Sequence, residues 1–253
     1  MNPFITGIFF LVILLAAVLG TRMSILARRT GHLPELCIAV FAFGTGPGSF
    51  LQVLGRGVGT LPSSWEVPVH MAGAIALSVA AIALGLFTWQ VFRPGERWAR
   101  LGFLAISALV VMSVLASLAT PTDFASRVHS PTSRSSLVWL LARGIFVGWS
   151  CFESLRYWQA MRRRRGLGLA DPVVVNRFFL FGTWTAGMLG LWLNSVVARL
   201  LVYSTGSNSF ESTLYAAGSS FGLVQILSLW LAFFPPRAYV QLLTRSEISR
   251  ATG

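Results

Sequence analysis

Residues 137–165 read LVWLLARGIFVGWSCFESLRYWQAMRRRR, and this stretch decides the fold. From Leu137 to Leu155 it carries two charged side chains, Arg143 and Glu153; beyond them come Arg162, Arg163, Arg164 and Arg165. A helix needs about 20 mainly apolar residues to cross hydrocarbon, and arginines just past such a segment mark its cytoplasmic side. One quotation therefore holds a span, its orientation signal and a charge placed inside lipid.

Working outward, six more apolar stretches follow the same plan. The spans lie at about 4–21, 34–54, 67–92, 101–118, 137–155, 178–202 and 213–234, forming one transmembrane domain over 1–253. Hydrophobic residues are 55% of the chain and charged ones 11%, against about 25% charged in soluble domains. A water-soluble chain of this length has too little interior for so much apolar surface. Lipid also demands internal backbone pairing, and the segments are too long and continuous for barrel strands. The expected class is an all-α integral membrane protein, a bundle of seven transmembrane helices.

Every one of the 20 basic residues is Arg, and their distribution sets the topology. The first, third and fifth connections and the C-terminal tail hold 15 of them; the other side holds Arg56, Arg127, Arg134 and Arg199. This bias places the N-terminus outside and the C-terminus in the cytoplasm, in a plasma membrane or a bacterial inner membrane. The formal charge of +12 belongs to those connections. It points away from nucleic acid and towards membrane lipids, with the Arg162–Arg165 run facing anionic headgroups. The first apolar segment has no basic region ahead of it and reads as a retained helix.

A charge inside hydrocarbon is costly and marks a functional candidate. Arg143 is the foremost, about 10 Å below the outer end of the fifth span at the helical rise. Glu66 and His70, four residues apart on one face of the third helix, join Asn194 in the sixth and Glu211 before the seventh as candidate ligand-binding partners around it. The bland readings stand beside this one: Arg143 snorkelling to headgroups, His70 a satisfied interfacial histidine, Glu66 a charge at a helix N-terminus. In the second span, Gly44, Gly46, Pro47 and Gly48 predict a helix break that walls a pocket, or else a close helix crossing. Asp171 followed by Pro172 reads as an N-cap and first helical position. At the cytoplasmic ends Glu153, Arg156 and Arg177 form a candidate polar cluster, with Glu153 and Arg156 spaced to pair on one face. Gln225 is expected to hydrogen-bond across helices.

Catalysis finds few reagents. There is no H-E-x-x-H and no aspartate in any span, so hydrolase chemistry lacks support and a non-enzyme is favoured. Cys37 and Cys151 read as small hydrophobes within spans. The arrangement resembles the seven-helix receptor architecture, rhodopsins included, in topology alone. With no Lys in the chain, a retinal Schiff base is excluded, and no cofactor is expected. The third helix ends Trp89, Gln90, Val91, Phe92, Arg93, without the diagnostic triplet of the animal receptors. The sequence thus leads to an outward-facing polar pocket for a small anionic or polar ligand, in a sensor or receptor-like protein acting through a separate cytoplasmic or membrane partner. A small-solute or ion transporter or channel is the alternative.

Overall fold

The computed structural model describes residues 3–55, 61–119, 134–205, 211–241 and 243. Among them are seven long helices: α1 (Pro3–Thr30), α2 (Leu33–Leu54), α3 (Ser63–Phe92), α4 (Arg97–Leu118), α5 (Arg134–Gly166), α6 (Pro172–Thr205) and α7 (Glu211–Phe233). No strand occurs in the described residues. Among the described residues, six helices, α1 to α5 and α7, are long and apolar enough to cross a membrane. The chain therefore has the architecture of a multi-pass membrane protein. α6 is 34 residues long and carries Gly182, Thr183, Trp184, Thr185, Gly187, Gly190 and Asn194 within its apolar run.

Helix ends follow local chemistry. α1 continues well past its apolar stretch and stops at Gly31, whose φ of 71° suits a residue without Cβ. Pro34 lies in the first turn of α2, and Glu35 accepts a hydrogen bond from the Thr30 hydroxyl. α5 likewise outlasts its apolar segment, so the Arg162–Arg165 run is helical. It closes at Gly168 (φ 71°), where the Leu169 amide reaches back to the Arg164 carbonyl. The expected α6 start is confirmed: Asp171 Oδ1 accepts from the Val173 amide at 2.7 Å, with Pro172 as first helical residue.

The helices form a closed ring in the order α1, α2, α3, α5, α6, α7, while α4 packs outside it against α3 and α5. The α2–α3 seam is the most intimate, and glycine makes it so. A Cβ on Gly44 would lie 2.6 Å from the Ala76 carbonyl oxygen, and one on Gly48 2.9 Å from the Ala76 Cβ. Gly46 faces the other way, where a Cβ would lie 2.7 Å from that of Ala16 in α1. The predicted break is corrected here: α2 is helical without interruption through Pro47. Gly44, Gly46 and Gly48 are contact points for α3 and α1, because small residues let backbones approach closely.

The core is concentrated toward the Arg-rich end of the ring. Ala16, Leu19 and Met23 of α1 meet Ile38 and Phe41 of α2, Leu84 and Phe87 of α3, Phe181, Trp184 and Met188 of α6, and Ile226 and Leu229 of α7. Aromatic rings close the middle. Phe41 meets Trp184 edge-on at 5.3 Å, Phe87 stacks on Phe181 at 5.1 Å, and Phe181 meets Trp184 at 4.7 Å.

Candidate functional site

Three contacts fix how α5 sits against α3. The Trp139 Nε1–H donates to Ser78 Oγ at 2.8 Å, Phe146 fills the space beside Gly85, and Arg93 Nε donates to Glu153 Oε1 at 2.9 Å. The residue numbers differ by 61, 61 and 60, so the two helices run parallel in constant register. Arg143 is therefore level with Ile82. Sixteen residues separate Ile82 from Glu66 and eleven separate it from Arg93, about 24 and 16 Å at the helical rise. Arg143 therefore lies near the middle of α3, although it is nine residues from the start of α5, because α3 begins ten residues earlier in this register.

Arg143 also lies between the contact faces of its helix. Trp139, Ala142 and Phe146 turn to α3 and α4, while Leu140, Gly144 and Leu155 turn to α6. At 100° per residue Arg143 falls between these two arcs, on the side addressing the ring interior. Val147, Ser150 and Ser154 continue that face, and both serines are fully buried. The Arg143 guanidinium rests over the Trp139 ring at 4.4 Å, one turn outward, the i, i+4 geometry that cation–π contacts use. Trp192 of α6 covers Gly144 and donates to the Leu140 carbonyl at 2.8 Å. The guanidinium thus lies over an indole of its own helix that is held in place by Ser78, while Trp192 ties α6 to α5 one turn away.

The structure brings some candidates to this level and leaves others elsewhere. Pairing of Gly144 with Trp192 and of Leu155 with Gly182 sets Arg143 level with about Leu193, beside Asn194. The Asn194 amide, however, donates to the Leu214 carbonyl of α7 at 3.0 Å. His70 is buried at the end of the α2–α3 seam away from the Arg-rich end, its Nδ1 3.1 Å from the Gln52 carbonyl. It lies twelve residues before Ile82, about 18 Å along the axis. Glu66 is a turn further out and partly exposed. Glu211 opens α7, and its side chain lies outside the described residues.

On the side of Arg143 away from the Arg-rich end, the packing thins along α1, α6 and α7. Buried residues continue along the α2–α3 seam and at Leu140 and Ala142. None of the described side chains in residues 6–15 of α1, 189–201 of α6 or 213–221 of α7 is buried.

Compared with known proteins, the chain matches no family model, no curated protein and no solved structure. Its own geometry is what speaks to function.

At the Arg-rich end, Glu153 is 6% exposed and its partner is Arg93 of the α3 terminus, across helices. The pairing raises the Arg93 pKa above its ordinary value, the hydrogen bond contributing most. Arg156 and Arg177 are both exposed, so of the expected cluster Glu153 is the buried member. Arg93, whose guanidinium also lies 5.6 Å from the Trp98 ring centroid, was hidden in the sequence as an ordinary interfacial arginine. Trp139 was equally hidden as a belt residue; its spacing from Arg143 was the available signal. Gln225 departs from expectation: its chain packs on Gly187 and its buried Nε2 has no hydrogen-bond partner.

Groups of three or more His, Cys, Asp or Glu fit to hold a metal are absent among the described residues. Around Arg143 the described residues place a guanidinium over the Trp139 ring, on a helix face continued by Val147, Ser150 and Ser154.

Proposed function

We propose that this chain is a seven-span membrane protein, N-terminus outside and C-terminus cytoplasmic, that binds a small anionic or polar ligand at Arg143 and acts as a sensor. A plasma membrane or bacterial inner membrane is its setting. The Arg distribution supports the orientation. As the seventh crossing, α6 spans about 51 Å at the helical rise, against a hydrocarbon core of about 30 Å. Its polar groups find partners within the bundle: Thr185 on the Phe181 carbonyl, Trp192 on Leu140, Asn194 on Leu214. Diluted apolarity is therefore tolerable in lipid.

One observation carries the reading. The interior-facing cation lies between a packed aromatic core and a region where none of the described side chains of α1, α6 and α7 is buried. Such an arrangement favours an outward-opening hollow with a closed floor. The floor also separates sensing from conduction, since Phe41, Trp184, Phe87 and Phe181 fill the interior where a polar path would continue. Occupancy at Arg143 would reach a separate partner at the Arg-rich end through α5, which joins the site to Glu153 and to the basic helical extension.

The test is a thermal-stability screen of purified protein against acetate, benzoate, citrate and phosphate, beside flux assays in proteoliposomes. At least one anion raises the melting temperature of the wild type and not of Arg143→Gln, and potassium and chloride do not cross. Equal response of both proteins, or response to none, removes the binding reading; flux replaces sensor with transporter.

The Arg162–Arg165 run is proposed to engage anionic headgroups. Arg162 folds back over Trp158 at 5.8 Å, and Trp158 packs on Phe179, the interfacial setting in which arginine meets phosphate.

A further inference from the structure

We infer that Arg22, Trp230 and Phe234 form a site for one anionic phospholipid at the seam between α1 and α7. The phosphate meets the guanidinium, and an acyl chain lies along the lipid-facing side of the seam. The site is separate from Arg143 and does not depend on a ligand there.

This seam closes the ring, and its two helices run parallel. A Cβ on Gly222 would meet Val12 at 3.5 Å, while the Arg22 guanidinium lies 5.1 Å from the Trp230 ring centroid and 5.0 Å from that of Phe234. The residue numbers differ by 210 at the first contact and by 208 and 212 at the second. Leu19, Ile226 and Leu229 fill the core side of the seam. Arg22 is the first charged residue after the apolar run of α1. Trp230 lies in the last turn of α7, and Phe234 just past it, before Pro235, Pro236 and Arg237. Both helices thus reach their first cation beside these rings, as helices leaving hydrocarbon do.

The contacts of Arg22 define what it can still bind. Trp230 and Phe234 are four residues apart with centroids 5.4 Å from each other, and the cation rests on both. Ring faces attract the charge but offer no lone pair, so the guanidinium's five N–H donors are left unmatched. Among the described residues no carboxylate or carbonyl accepts from Arg22, and the residue is exposed. Glu35, the acid nearest in sequence, accepts from the Thr30 hydroxyl. An arginine fixed in place, with its fork open, matches two oxygens of a phosphodiester.

Charge and surface select the kind of lipid. Arg29 follows Arg22 by seven residues, on the same face of α1 and about 10 Å further toward water. A choline or ethanolamine ammonium beyond the phosphate would meet this second cation, whereas a head without an ammonium would not. In the other direction, Leu11, Leu15 and Val18 fall within about 40° of Arg22 on α1, and Leu223 and Leu227 within about 60° of Trp230 on α7. Leu11, Val18 and Leu227 are exposed. A lipid with its head at Arg22 has its chain running into hydrocarbon along this strip.

The experiment is native mass spectrometry of the full chain released from phosphatidylcholine nanodiscs doped with phosphatidylglycerol. The wild type retains one phosphatidylglycerol more than Arg22→Gln, whose affinity falls about fivefold, the share of one arginine beside an anionic surface. Arg28→Gln removes a charge from the same end but another face of α1, and leaves that lipid bound. Arg22→Lys keeps the charge over the rings, and with it the fold, yet loses the fork and also retains less phosphatidylglycerol. The Arg162–Arg165 run is present in every variant, so its lipids cancel. Equal losses in Arg22→Gln and Arg28→Gln reduce the effect to diffuse charge and overturn the site. Retention that ignores both Arg22 variants shows the residue to be an α1–α7 clamp only, and also overturns it. Equal retention of phosphatidylcholine refutes the anionic assignment, and displacement of the lipid by inorganic phosphate refutes the lipid one.

Discussion

Removing Arg93 costs this protein far more than removing Glu153, although the two form one ion pair. The Glu153 side chain is 6% exposed and the Arg93 side chain 21%, at 2.9 Å from each other. In Arg93→Ala the carboxylate stays behind on α5, facing α3, with its strongest donor gone. Leaving a buried charge without its partner costs about 3–5 kcal/mol, and the lower end suits a group next to an interface. In Glu153→Ala the remaining guanidinium keeps its stack on Trp98 at 5.6 Å. It can also extend to headgroups, so the loss is about 1 kcal/mol. For chains near 250 residues, 1 kcal/mol shifts the melting temperature by about 2–4 °C. Thermal unfolding followed by circular dichroism in a mild detergent then gives a fall of about 6–10 °C for Arg93→Ala and about 2–4 °C for Glu153→Ala. The double variant resembles Glu153→Ala, since the stranded carboxylate is gone. Equal single effects, or a double variant showing their sum, would refute the claim that a buried carboxylate dominates this contact.

Other expectations follow from neighbouring features. Gly44→Ala brings a methyl to 2.6 Å from the Ala76 carbonyl oxygen and lowers stability by about 1–3 kcal/mol through overpacking; Gly102→Ala, with nothing within 4 Å, changes the same unfolding curve by under about 0.5 kcal/mol. Trp139→Phe loses the bond to Ser78 and costs about 1 kcal/mol while preserving anion-induced stabilisation, because a ring stays beneath Arg143. Trp139→Leu weakens that response, and no difference between the two variants removes the cation–π contribution. Cys37 and Cys151 are buried, at 3% and 5% exposure, so an impermeant maleimide reports on an introduced thiol. Leu167→Cys, at a position 74% exposed, reacts in inverted vesicles and not in intact cells; labelling from outside reverses the orientation.

Much of the architecture was legible along the chain. The solvent of the helices follows from their apolar runs, and the α6 start from Asp171 and Pro172. These are local quantities, each set by residues within a turn or two. The second helix misled because glycine and proline have two meanings in lipid: they permit a break, and they permit close approach. Only the identity of the facing surface, Ala76 and Ala80 on one side and Ala16 on the other, selects between them. Arg143 was found as a lone charge, while its level against α3 is set by the packing of the two helices.

Composition and charge placement alone determined that this protein belongs in a bilayer, along with its class and its foremost charged residue, because transfer free energy is summed residue by residue. The tertiary structure decided the register of α5 on α3, the partnership of Glu153 with Arg93, the aromatic closure beneath Arg143 and the thin packing above it. Sliding one helix past another changes no local property of either. Its position is fixed by fits such as Phe146 beside Gly85 and Trp139 on Ser78, between residues about sixty positions apart.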